Sequence, residues 1–201
     1  MKILGIEDSL KNSKIDLRKQ IEKYIPYNEQ EEVDRFFFLQ FMTTFEDVLT
    51  RNNVIGHFSS SAFVLNKARD KMIVVHHNQF DTFVYPGGHA DGNPDLYQVA
   101  VQEVAEETGA EITPIKNNFV GLQNIAIQGH MKKGKYVSSH LHFNVVYLFE
   151  SDETKPLKVK PDENSIVKWM PIEEVLEQTT SPFMKAATKK LVKQLEEGNY
   201  R

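Results

Sequence analysis

The chain has 201 residues, 40% of them hydrophobic and 26% charged, enough apolar material to bury a core without covalent staples. It contains no cysteine, which excludes disulfide frameworks, thiolate zinc sites and cysteine nucleophiles together. A net charge of −4 gives no basic footprint for nucleic acid or an anionic membrane, and no apolar run approaches the roughly 20 residues that span a bilayer. The short apolar start is followed by Glu7 and Asp8, unlike a secretory leader, so the expectation is a soluble cytoplasmic protein.

Residues 1–55 read as a helical extension and 56–201 as the main domain. Ser13 to Tyr24 is rich in helix formers, and Pro26 interrupts it. Asn28 is a fitting N-cap for a second helix running from about Glu29 to Arg51. The centre of that helix, Phe36 to Met42, is apolar nearly all round, which predicts cover on more than one side, by the core or by a second subunit. From His57 the texture changes. Strands are expected at Ala62–Leu65, Met72–His76, Phe83–Tyr85, Asn118–Ile127, Ser139–Phe149 and near Val167–Met170. A helix is expected from Pro94 to Thr108, and two more at Ile172–Gln178 and Pro182–Glu197. Strands and helices mix without a regular βαβ repeat, so the class is α+β, a sandwich built on a mixed sheet.

The helix after Pro86-Gly87-Gly88 carries the most information. Asn93 suits its N-cap, Pro94 its first position and Gly109 the residue past its C-terminus. Glu103, Glu106 and Glu107 then crowd its last two turns at i, i+3, i+4, where like charges repel by roughly 0.2–0.5 kcal/mol per pair. They also oppose the helix macrodipole. No lysine or arginine occurs between Lys71 and Lys116 to neutralise them locally. At about 100° per residue, Glu107 falls between Leu96 and Ala100, so the acids border the buried face. The plain alternative is a solvated face, or pairing with distant lysines. A hard divalent cation, Mg²⁺ or Mn²⁺, reverses both penalties, because it binds oxygen ligands and inverts the local electrostatics.

The flanking frame favours the cation. Gly88-His89-Ala90-Asp91-Gly92, followed by Gln102-Glu103-Val104-Ala105-Glu106-Glu107-Thr108-Gly109-Ala110, resembles the Nudix box of the MutT-like hydrolases. The resemblance extends over about His57 to Gln178. Two positions depart from the box. Pro94, with Asp95 beside it, replaces the first glutamate, and Gln102 replaces an arginine that in the family orients the glutamates. The Gly-Gly-His-x-Asp-Gly-x-x-Asp-Leu wording itself resembles a variant of the box.

The resemblance implies a Nudix catalytic domain over 56–201. Its activity would be hydrolysis of a nucleoside diphosphate linked to another group, by attack of water on the pyrophosphate. It implies metal ligation by Glu103, Glu106 and Glu107, with the backbone at Gly88 close to metal or phosphate. Glu106, Glu107 or a later loop acid, Glu163, would act as general base. His140, His142 and Asn144 share one face of a strand by period-two alternation, and with His89 in the box loop they are candidates to contact substrate. Simple exposure or hydrogen bonding explains such histidines equally well. The partner implied is a small-molecule nucleotide, with a homodimer as the expected assembly. An alternative is a catalytically weak domain that senses a nucleotide metabolite, motivated by Gln102 and Pro94. An isopentenyl diphosphate isomerase-like reading is weakened by the missing cysteine. A DNA-binding regulator is weakened by the lack of a basic helix-turn-helix.

Overall fold

The computed structural model describes residues 16–132 and 134–200, so the first residues of the expected Ser13–Tyr24 helix lie outside the described residues. Residues 16–23 are helical (α1). Helix α2 (Glu29–Thr44) starts as the sequence suggests, with Asn28 Oδ1 accepting from Glu31 N at 3.1 Å. Glu31 is buried and accepts from Tyr27 N at 2.8 Å and from the Tyr24 hydroxyl at 2.6 Å, which fixes the turn between α1 and α2. The helix stops seven residues short of Arg51 (51 − 44 = 7). Phe45 is extended, and Asp47 Oδ1 draws Leu49 N and Thr50 N into a turn of its own. A short acid two or three residues ahead of a backbone donor competes with the helix in this way.

Among the described residues ten strands follow: β1 (Gly56–Leu65), β2 (Lys71–His77), β3 (Thr82–Val84), β4 (Gly87–His89), β5 (Ile112–Pro114), β6 (Gly121–Ile127), β7 (His130–Lys132), β8 (Lys135–Val137), β9 (His140–Ser151) and β10 (Asn164–Pro171). The helices between and after them are α3 (Leu96–Thr108), α4 (Ile172–Gln178) and α5 (Pro182–Glu196). The main sheet runs β10-β2-β1-β9-β5, with β3 on β2, β4 on β1 and β6 on β9, while β7 and β8 form a separate hairpin. The fold is α+β on a mixed sheet, the class expected. In that hairpin Lys132 lies opposite Lys135, and Gly134 has φ 76°.

The chain divides into two compact units. The first holds 16–60, His89–Val99 and Gly121–Val145; the second holds Ser61–Gly88, Ala100–Val120 and 146–200. In the first unit an aromatic cluster joins α2 to the strands. Phe38 packs edge-on against Phe58 and Phe143, with ring centroids 5.4 and 5.2 Å away, and Phe41 stacks on Phe143 at 4.0 Å. The serines that obscured the start of β1 are buried. Ser59 Oγ donates to Asn144 Oδ1 and Ser60 Oγ to Leu96 O, so neither hydroxyl is a stranded polar group.

In the second unit the core is Phe63, Leu65, Met72, Val74, Val146, Leu148 and Met170, closed by Val175 of α4 and by Met184 and Leu191 of α5. Strand β10 pairs antiparallel with β2, Trp169 opposite Ile73. Ser181 caps α5 by accepting from Met184 N, with Pro182 at its start. Among the described residues no helix is long and apolar enough to cross a membrane.

Candidate active site

Helix α3 ends where the sequence places its end, with Gly109 in the left-handed region at φ 65°. Its start differs by two residues. Asp95 Oδ1, not Asn93, accepts from the first-turn amide of Gln98 at 3.1 Å, while Asn93 Oδ1 holds Asp95 N at 3.0 Å. Pro94 fits the loop ahead of that cap. The acid beside the altered box position thus serves to start the helix.

The three glutamates of α3 lie in the second unit and have three different environments. Glu107 is 3% exposed. Its Oε2 accepts from Gly87 N and its Oε1 from Asn164 Nδ2, both at 2.9 Å. Burial outweighs these two neutral donors and pushes its pKa up to about 7. Glu103 is likewise raised to about 7, by burial first and then by the charge of Glu107. It accepts no hydrogen bond among the described residues. Gly88 is the floor beneath it, because a Cβ there would sit 1.9 Å from Glu103 Oε1.

Glu106 faces the other way. Gln102 Nε2 donates to its Oε1 at 2.7 Å and Lys160 Nζ lies 3.2 Å from its Oε2; these two contacts hold its pKa below the usual value. Lys160 also meets Glu163 Oε2 at 3.0 Å, and hydrogen bonds to the two acids raise its own pKa against the cost of burial. The neutralising cation missing from the local sequence therefore comes from the loop before β10. Glu163 comes with it, and its charge acts on both Glu103 and Glu107.

The predicted histidines lie in the first unit. His140 and His142 share one face of β9, as the alternation requires, and Phe143 turns to the aromatic cluster. His89 is beside them, its ring centroid 4.8 Å from that of His142. Sequence reasoning missed His57, whose centroid is about 5 Å from those of all three: 5.1 Å from His89, 5.1 Å from His140 and 4.9 Å from His142. Its only sequence signal was the His57-Phe58 pair, which alternates as His142-Phe143 does. Burial first, then repulsion from neighbouring rings, lowers three of them: His89 falls to about 3, His142 to about 2, and His57 is also lowered.

Residues 57–191 match the family described as NUDIX domain. The chain belongs to that family. Nudix relatives of known structure share the fold at low identity. The C. elegans Ap4A hydrolase in a binary complex is 16% identical, with 70% of this chain and 98% of that one covered and a TM-score of 0.50. The NUDIX domain of Shewanella oneidensis NrtR, complexed with ADP ribose, is 16% identical over 76% and 92%, with a TM-score of 0.51. A NUDIX-family hydrolase from Clostridium perfringens is 22% identical over 67% and 95%, with a TM-score of 0.48. No curated protein matches the sequence. As a Nudix hydrolase the chain is a pyrophosphohydrolase, of the class that splits the pyrophosphate of nucleoside diphosphate derivatives. Enzymes of this family generally depend on a divalent metal.

Proposed function

We propose that the enzyme hydrolyses a nucleoside diphosphate linked to another group, with Mg²⁺ or Mn²⁺ held by Glu103, Glu106 and Glu107. One observation carries the reading. Two carboxylates on one face of α3, Glu107 buried and Glu103 partly so, stand together with no ion pair of their own among the described residues, and burial raises both to about 7. The donor set suits a hard cation that takes oxygen ligands, and unsuits a thiophilic one. Such an ion, when bound, supplies charge neutralisation for the pyrophosphate and acidifies water.

The protein's own groups do the rest. Gly87 N and Asn164 orient the Glu107 carboxylate. Gly88 leaves room for the Glu103 carboxylate. Gln102 and Lys160 steer Glu106, the neutral donor and the remote cation dividing the work that the resemblance assigns to an arginine. Glu163, ion-paired with Lys160 in the loop before β10, would accept a proton from the attacking water.

The test is turnover of ADP-ribose, dinucleoside polyphosphates, nucleotide sugars, coenzyme A and NADH with Mg²⁺ or Mn²⁺. Activity is expected on at least one of them, abolished by chelator. It should fall by about 10²–10³-fold in Glu106→Gln and Glu107→Gln, the loss typical of removing one transition-state stabilising group. Tight binding without turnover across the panel would overturn this reading and favour a metabolite sensor.

A further inference from the structure

We propose that His57, His140 and His142 form a binding site for a divalent transition ion of the zinc type, separate from the carboxylates of α3 and built wholly within the first unit. Among the described residues these three are the group whose ligand atoms approach one another closely enough to hold an ion, all within 4.8 Å. Two strands position them: β1 supplies His57, and alternate residues of β9 supply His140 and His142. The opposite faces of the same strands carry Phe58 and Phe143, locked into the aromatic cluster with Phe38. The rings therefore stand on a packed support rather than on a loop.

The hydrogen bonds leave lone pairs facing inward. His140 Nδ1 lies 2.8 Å from Ser138 O, and a carbonyl oxygen only accepts, so Nδ1 carries the proton and Nε2 the lone pair. His57 Nδ1 makes a longer contact of the same kind with Asn53 O. A backbone carbonyl behind the ring is the usual partner of a metal-bound histidine. On the inward side His57 Nε2 has no hydrogen-bond partner, although the residue is only 3% exposed. A stranded buried nitrogen of this kind is costly unless a ligand satisfies it. His140 Nε2 accepts from His142 Nε2 at 3.1 Å, and an ion that takes both nitrogens moves that proton to His142 Nδ1; the separation is already close to the roughly 3.4 Å that two imidazoles span across a tetrahedral ion with bonds of about 2.0–2.1 Å.

The chemistry of the site selects its occupant. Three imidazole nitrogens favour zinc and its neighbours over Mg²⁺ or Ca²⁺, which prefer oxygen. The nearby acid is already committed, since Asp91 is held by both Arg51 Nε and Nη2 at 2.8 and 2.6 Å. An ion on three neutral donors keeps its double positive charge and an open fourth position, which suits hydroxide or an anionic oxygen.

The experiment uses the full chain without a polyhistidine tag, stripped of metal and titrated with Co²⁺. With excess Mg²⁺ present to occupy the carboxylates of α3, the expected result is one equivalent of Co²⁺ bound with the intense visible absorption of a four-coordinate ion, displaced by Zn²⁺. His140→Ala and His142→Ala should each weaken binding by about 100-fold or more, a loss at least as large as that from removing a supporting partner. Glu106→Gln should give the same four-coordinate spectrum as the parent. Because buried-ring variants can unfold, each is checked by circular dichroism, and His140→Gln replaces the alanine variant if that fails. A four-coordinate spectrum that survives loss of His140 and His142, one that disappears with Glu106, or no saturable spectrum at submillimolar Co²⁺ would each overturn the site.

Discussion

Gly88 is a residue whose absent side chain is its function. Its backbone is in no region that demands glycine, yet a Cβ would overlap the Glu103 carboxylate. The atom in the way is the end of a flexible side chain, so Gly88→Ala leaves the backbone unstrained and moves the carboxylate instead. Misplacing a catalytic group by about 1 Å can cost on the order of 100-fold in rate. Gly88→Ala should therefore lose about 100-fold in kcat/KM while its melting temperature barely moves; a large drop in melting temperature would show that the clash is absorbed by the fold. Gly88, Glu103, Glu106, Glu107 and Gly109 were legible because one helix and its two ends fix their spacing. Lys160 and Asn164 were not, being about 50 residues away and brought to α3 by the loop and first residue of β10. His57 was hidden for the same reason.

Elements were read well where periodicity was strong and poorly where a local polar group competed. α4 and α5 match their expected bounds to within a residue, since Pro182 and Ser181 mark the second start. β1 begins well before Ala62, because Ser59 and Ser60 look like turn residues until Asn144 and Leu96 O are there to receive their hydroxyls. β4, β5, β7 and β8 are three residues each, too short to carry an alternating pattern. α2 is a mixed case. Phe38, Phe41 and Met42 are buried, while Val33, Phe36 and Phe37 are about half exposed, so of the cover expected on more than one side one side is found among the described residues. Phe38→Ala removes a fully buried ring between Phe58 and Phe143 and should cost roughly 3–5 kcal/mol in chemical denaturation. Phe36→Ala should cost no more than about 0.5 kcal/mol in a monomer, as an exposed substitution does. A larger, concentration-dependent loss would mark that face as the contact with a second subunit.

The whole molecule combines groups that respond to pH in opposite senses. His57, His89 and His142 have folded pKa values below their ordinary one, so below about 6.5 the unfolded chain takes up protons that the folded chain refuses, and stability falls as pH drops. Glu103 and Glu107 have folded pKa values raised from 4.5 to about 7, so their protons stabilise the metal-free fold at low pH and that contribution is lost as pH rises through 7. The two trends overlap between 4.5 and 6.5, and the wild-type profile alone does not separate them. Glu107→Gln does. Its amide oxygen can accept from Gly87 N, and its NH₂ can donate to Asn164 Oδ1, a buried atom with no partner in the parent, once the asparagine amide turns over. The variant thus keeps the packing and removes the charge. In chelator, its stability relative to wild type should be nearly unchanged at pH 4.5, grow through pH 7 and level off by pH 8 at a gain on the order of a few kcal/mol. Saturating Mg²⁺ should then stabilise wild type at pH 8 and leave the variant nearly unmoved, because the ion needs the ionised carboxylate. Denaturation curves at four pH values, with and without Mg²⁺, give the comparison. A variant less stable than wild type at pH 8 without metal would mean that Glu107 is held by its hydrogen bonds as a structural anion and not as a ligand awaiting a cation.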